Sequence, residues 1–339
     1  MEAIAEARRP STLEVYEGKW RVFAAWCSEE ALTPTELSPP QLANFFLWLF
    51  NVKGYAISTI KGYRSMIATT YRHLGRPDPG KDNDLSDLVA NLERRRPVVR
   101  SLVPRWNLPW VLKWLSSERF EPLSLAPLRE VTLKTCFLLA LATAARVSEL
   151  HALSTREDCL QKRQDGSYHL MTDPAFIAKN RLPSVGSQSF HLVPIKSVDR
   201  SPVAQFQCPV RALRIYLHRT KQKRRGRTRL FLPLRENRQD ISIQSISSWV
   251  RQVIKGAYDD LSPTGSRDLR IKAHEVRAVA ASVALMRNCA LKDILDAVSW
   301  KSDSVFARCY LRDMSAQRTD LDSLGAVAAA HHLLPAIPD

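Results

Sequence analysis

Five short segments of this 339-residue chain hold side chains of reactive types. Arg146 closes an apolar run, with Glu149 one helical turn further on, in the stretch ARVSEL. Lys179 follows the apolar residues 175–178 and precedes a glycine-containing connection. His274 and Arg277, in HEVR, fall on one helical face at i and i+3. Trp300 follows the predicted end of a helix near Ser299, and Tyr310 sits in a predicted helical run over 305–311, flanked by Arg308 and Arg312. By type, guanidiniums offer a fixed fork to anionic oxygens. An imidazole accepts a proton near neutrality, an indole N–H donates a hydrogen bond, and a phenol attacks once its proton has somewhere to go. Each segment alone also has a structural reading. Arg146 and Glu149 make an ion pair, Lys179 is a solvated hairpin tip, and Tyr310 is a core tyrosine.

The elements that must position these groups are mostly helices. In residues 10–96 apolar and aromatic side chains recur three or four apart: Leu13, Tyr16, Trp20, Phe23 and Trp26; then Leu42, Phe45, Phe46 and Leu49; then Ile60, Tyr63, Met66, Ile67 and Tyr71. Ser11 or Thr12, Ser38 and Ser58 start these helices, and Gly75 ends the third. A short fourth helix is predicted over 85–92. The run Arg94, Arg95, Arg96 then reads as the start of a basic linker that extends over 97–104. A larger unit spans 105–325, with a tail at 326–339. Its helices are predicted at 128–153, 208–220, 242–257, 272–288 and 291–298. Short extended runs at 169–171, 175–177 and 190–195 put Lys179 at a hairpin tip. The fold class is mainly α with a small antiparallel β-sheet.

Composition excludes other classes. Lys and Arg total 50 against 34 Asp and Glu, a net charge of +16. Residues 1–100 hold only +2 of it and residues 101–339 hold +14, which points to a polyanionic partner for the larger unit. The longest apolar stretch, residues 137–145, is far short of the ~20 residues that span a bilayer, so no membrane partner is expected. The first residues mix acids with bases and carry no apolar segment of a secretory signal. The six cysteines form no CxxC motif, which suits a reducing intracellular compartment. No His/Cys spacing suggests a metal, and none is predicted.

Taken in order, Arg…Lys…HxxR…Trp…Tyr resembles the tyrosine recombinase (phage integrase) family. The matching residues are Arg146, Lys179, His274, Arg277, Trp300 and Tyr310, and the likeness covers nearly all of residues 10–320. Trp300 where histidine is commoner, and AKN around Lys179, resemble the recombinases of eukaryotic DIRS and Crypton mobile elements. The resemblance implies an N-terminal core-binding (SAM-like) DNA-binding domain, a catalytic domain, and cleavage and rejoining of DNA through a covalent 3′-phosphotyrosine. It implies Tyr310 as nucleophile, His274 as its proton acceptor, and Lys179 as acid for the departing 5′ oxygen. Arg146 and Arg277 would bind the non-bridging oxygens, Trp300 would donate a hydrogen bond, and Glu149 would orient Arg146. The phosphotyrosine conserves the bond energy, so no cofactor is needed. Double-stranded DNA and further copies of the chain are the implied partners, a dimer on one site pair and a tetramer in synapsis. The nucleus is the implied location in a eukaryote. A DNA-binding descendant that no longer recombines, and a type IB topoisomerase, are the alternatives.

Two basic runs are candidate DNA contacts. Arg94, Arg95 and Arg96 would cross a phosphate backbone from the linker. Residues 219–229 hold seven bases in eleven positions (Arg219, Lys221, Lys223, Arg224, Arg225, Arg227 and Arg229) and read as a phosphate-contacting loop, with a nuclear-import signal or a solvated loop as alternatives. The resemblance implies that the apolar tail at 324–334 docks onto a neighbouring copy, with an intramolecular cap as the alternative.

Overall fold

A computed structural model describes residues 10–98, 101–178, 187–195, 205–235, 238–261, 271–297 and 302–314. Its contacts divide the chain into two units, Met1–Arg100 and Ser101–Asp339.

The described residues of the first unit form α1 (Pro10–Glu29), α2 (Pro39–Asn51), α3 (Ile57–His73) and α4 (Asn83–Arg95). Pro39 and Pro40 occupy the first turn of α2, where a missing N–H costs nothing, and the Ser38 N–H donates to Gln41 Oε1 at 2.8 Å. Asp82 starts α4 by accepting the Leu85 N–H at 2.9 Å. The aromatic stripes meet in the core. Phe45 packs against Phe23, Trp26 and Tyr63 with ring centroids 4.8, 5.1 and 5.7 Å apart. The arginine run is not a linker. Arg94 and Arg95 complete the last turn of α4, and Arg96 caps it. Arg96 donates to the Tyr55 and Phe50 carbonyls and lies 3.9 Å over the Phe50 ring. Cations favour a helix C-terminus, and this pairing is what extends α4 past the predicted end.

In the second unit, α5 (Leu108–Leu115), α6 (Leu128–Thr143) and α7 (Val147–Ala152) precede strands β1 (Leu160–Lys162), β2 (Tyr168–Met171) and β3 (Ser189–Leu192). The strands form an antiparallel sheet in the order β1-β2-β3, with Leu160 opposite Leu170 and His169 opposite His191. Residues 175–177, predicted as extended, are not a strand. Asp173 Oδ1 takes the Ala175 N–H and the Asp173 carbonyl takes the Phe176 N–H, so the Asp-Pro pair opens a turn instead. Residues 160–162, unmarked in the sequence, are a strand because β2 pairs with them. Then follow α8 (Pro209–Arg224), α9 (Ile243–Leu261), α10 (Glu275–Met286), α11 (Leu291–Ala297), the single turn α12 (Asp303–Val305) and a π-helical turn, Phe306–Tyr310.

Helix α6 is the axis of this unit. Every residue from Glu130 to Thr143 is buried, and α8, α9 and α10 pack around it. Helix α9 comes close to α5 at Gly256, where an added Cβ would lie 2.5 Å from the Trp114 ring. That ring is held by Phe120, 4.7 Å away, and by its indole N–H on Asp260. Gly256→Ala is therefore expected to lower stability by about 1–3 kcal/mol, read from denaturant unfolding.

Candidate active site

Helix α6 ends at Ala144, whose left-handed φ of 46° turns the chain so that Arg146 caps α7. The Arg146 N–H donates to Glu149 Oε2 at 2.7 Å and its Nη1 to Glu149 Oε1 at 2.6 Å. One carboxylate thus fixes both the backbone and the side chain of Arg146. Glu149 also faces a second guanidinium: Arg277 Nη1, from the first turn of α10, is 3.7 Å from Glu149 Oε2 and donates to the Ala144 carbonyl at 2.6 Å. The Arg277 and Glu149 side chains are only 2% and 3% exposed, and Arg146 is 12% exposed. The outcome is a buried anchor, Arg277–Glu149, with Arg146 held beside it and partly open.

His274, at the start of α10, brings Nε2 to 3.0 Å from the Tyr310 hydroxyl, with the two rings edge-on and their centroids 5.2 Å apart. The Arg277 guanidinium lies 5.9 Å from the centre of the Tyr310 ring. Three segments distant in sequence therefore meet, bringing Arg146, His274 with Arg277, and Tyr310 into one site anchored by Glu149. The run over 305–311 is not a simple helix. After α12, Leu311 N–H reaches back to the Phe306 carbonyl at 2.8 Å, and Tyr310 closes the π-helical turn, half-buried. Such turns are rare and concentrate at functional positions. Phe306, 2% exposed, pins the turn to the core.

Arg312, noted in the sequence only as a flank of Tyr310, is the residue that sequence reasoning undervalued. Its Nη1 donates to the Tyr310 and Leu311 carbonyls at 3.2 and 3.0 Å. Burial, then the positive charges of Arg277, Arg146 and Arg312, pull the His274 imidazole down to about 4, against the opposing charge of Glu149. At neutral pH His274 is uncharged. In the tautomer with its hydrogen on Nδ1, Nε2 can accept the Tyr310 proton. A consequence for stability follows. The unfolded chain takes up this proton near 6.5 and the folded chain only near 4, so stability is expected to fall as pH drops from about 6.5 to about 4. His274→Gln should lose less stability than the native chain over that interval, in denaturant unfolding at stepped pH.

Lys179 and Trp300 lie outside the described residues, as do Lys196, a second lysine of the β region, and the tail at 324–334. The run 219–229 is not a loop throughout, because α8 continues to Arg224. Three of its arginines are committed to the protein. Arg224 Nη1 donates to the Arg229 carbonyl, and its Nη2 to the Leu230 carbonyl and Thr220 Oγ1. Arg219 caps the carbonyls of Ser124 and Ala126, and Arg229 pairs with Asp240 at 2.6 Å. Lys223, Arg225 and Arg227 line a cavity of about 370 Å³ together with Arg235. Among the described residues no group of three potential metal-ligating side chains occurs, and no helix is long and apolar enough to cross a membrane.

No protein-family model matches the chain, and no curated protein resembles it in sequence. Solved structures do resemble it in fold. The XerH site-specific recombinase bound to its difH substrate in a pre-cleavage complex aligns with a TM-score of 0.55 and 14% identity, over 92% of this chain and 78% of that one. A lambda integrase tetramer bound to a Holliday junction aligns with a TM-score of 0.53 and 15% identity, over 92% and 75%. A lambda integrase dimer bound to a COC′ core site gives a TM-score of 0.53 and 15% identity, over 94% and 75%. The mostly helical architecture with its small antiparallel sheet is the integrase fold of these recombinases.

Proposed function

We propose that this protein breaks and rejoins DNA strands as a tyrosine recombinase, with Tyr310 as nucleophile. The observation that carries the reading is the contact of Tyr310 with His274 beside Arg277, with Arg146 held by the same Glu149. Tyr310 Oη attacks the scissile phosphorus and its proton passes to His274 Nε2. The phosphorus–O5′ bond breaks, Lys179 protonates the departing 5′ oxygen, and the strand is left as a 3′-phosphotyrosine ester. Attack on that ester by another 5′ hydroxyl reverses the steps and rejoins the strand. Arg146 and Arg277 stabilise charge on the non-bridging oxygens, and Glu149 holds both guanidiniums in place. Trp300 donates a hydrogen bond to the same phosphate. The DNA-bound states of the XerH and lambda integrase structures support double-stranded DNA as partner and assembly of several copies on it. A mobile-element origin of the DIRS or Crypton kind, and action in the nucleus, belong to the same proposal.

The test is a covalent one. Nicked duplexes from the flanks of the protein's own gene are expected to trap a protein–DNA adduct that survives denaturation. Absence of adduct on every such duplex, with DNA binding retained, would leave a binding protein without strand transfer.

DNA contact by the basic run has its own measurement. Replacing Lys221, Arg225 or Arg227 by Ala is expected to flatten the log K against log salt slope by roughly one unit per lost phosphate contact. Arg224→Ala should lower thermal stability instead, since its guanidinium serves carbonyls inside the fold. The Arg94 and Arg95 contacts are open to the same salt titration, whereas the Arg96 guanidinium serves the Tyr55 and Phe50 carbonyls.

A further inference from the structure

We infer that Ser282 is a positioning residue for the Tyr310 nucleophile: its hydroxyl latches the chain just after the π-helical turn onto α10, the helix that carries His274 and Arg277. The chain leaves helical geometry at Leu311, whose ψ is 132°, immediately before the Arg312 amide. Ser282 Oγ takes that amide at 2.8 Å. Its own hydrogen goes to the Ala278 carbonyl one turn back, at 2.8 Å, which fixes the rotamer and leaves a lone pair aimed at Arg312. Ser282 is 3% exposed, so water does not compete for either bond. The segment is thereby tied to α10 at two places, His274 with the Tyr310 hydroxyl and Ser282 with the Arg312 amide. A phenol with one anchor pivots, whereas with two it keeps its distance to the imidazole. Nucleophilic attack is sensitive to such placement, and a shift of about 1 Å is worth on the order of 10²-fold in rate.

The role rests on Tyr310 being the nucleophile, but it can be tested without that assumption. Ser282→Thr and Ser282→Val put side chains of the same branched shape at one buried site and differ in a hydroxyl against a methyl group. In the Val variant, hydrogen exchange across residues 306–314 is expected to accelerate at least tenfold over the Thr variant, well beyond the change at amides elsewhere in the unit. The rate of covalent adduct formation on nicked duplexes should fall at least tenfold in Val and stay near the native rate in Thr, with DNA affinity equal in both. Equal exchange in Thr and Val would overturn the latch whatever the chemistry. Equal adduct rates with unequal exchange would overturn the positioning role. An adduct missing from the native chain, with exchange still faster in Val, would fail the recombinase reading while the latch stands.

Discussion

Tyr310→Phe is expected to abolish the covalent protein–DNA adduct, a loss of more than ~10⁴-fold, while folding and DNA affinity stay near native. The substitution keeps the ring against His274 and under the Arg277 guanidinium, and removes only the hydroxyl that His274 Nε2 meets at 3.0 Å. The loss therefore reports chemistry and not packing. Two other tyrosines are already spoken for. Tyr216 is buried with its hydroxyl on the Leu232 amide and its pKa pushed up to about 12, and the Tyr71 hydroxyl bridges Pro34 and Leu37. Adduct formation by Tyr310→Phe would place the nucleophile elsewhere and overturn the assignment. The remaining roles separate in the same assay. Lys179→Ala should recover cleavage on a 5′-bridging phosphorothioate, whose sulfur leaves without protonation. Arg146→Ala and Arg277→Ala should not recover, because their charge acts on the non-bridging oxygens. Rescue of a Lys196→Ala variant instead would move the acid to that lysine.

Glu149→Gln carries the largest expected cost to the fold, about 3–5 kcal/mol, as when one partner of a buried ion pair is removed. Its carboxylate answers Arg146 through backbone and side chain and is the anion facing the buried Arg277 guanidinium. Burial already draws Arg277 down, and Glu149 is the largest influence opposing that fall. Without the charge, Arg277 is left desolvated at low exposure. A cycle separates this charge from mere shape: Arg277→Met in the Glu149→Gln background should regain part of the stability, since the uncompensated cation leaves with it. Both single variants should lose adduct formation. Equal stability of Glu149→Gln and the native chain in denaturant unfolding would show that the carboxylate is not what holds this pair.

The sequence by itself determined the helices of the first unit, the aromatic core and the helical character of residues 128–153, though not its break at left-handed Ala144 into α6 and α7, because a 3.6-residue spacing of apolar side chains is a local signal. It also determined which residue types are available, and in what order, from Arg146 to Tyr310. Even the bond between Arg146 and Glu149 is legible, since a glutamate three positions after a helix cap reaches back to it. Only the tertiary structure decided that Glu149 serves Arg277 as well, that Ser282 accepts the Arg312 amide, and that the Tyr310 turn is π-helical. It decided too that Arg224 faces inward to the Arg229 and Leu230 carbonyls, so a run of like charges is split between structure and surface. Strand β1 exists only because β2 offers its edge, and α4 keeps Arg94 and Arg95 because Arg96 finds Phe50 and Tyr55. Glu149 with Arg277, Ser282 with Arg312, and Arg96 with Phe50 and Tyr55 each depend on a partner far along the chain. A hydrogen bond or buried charge takes its energy from the group that folding brings to it, and that group leaves no mark on the neighbouring sequence.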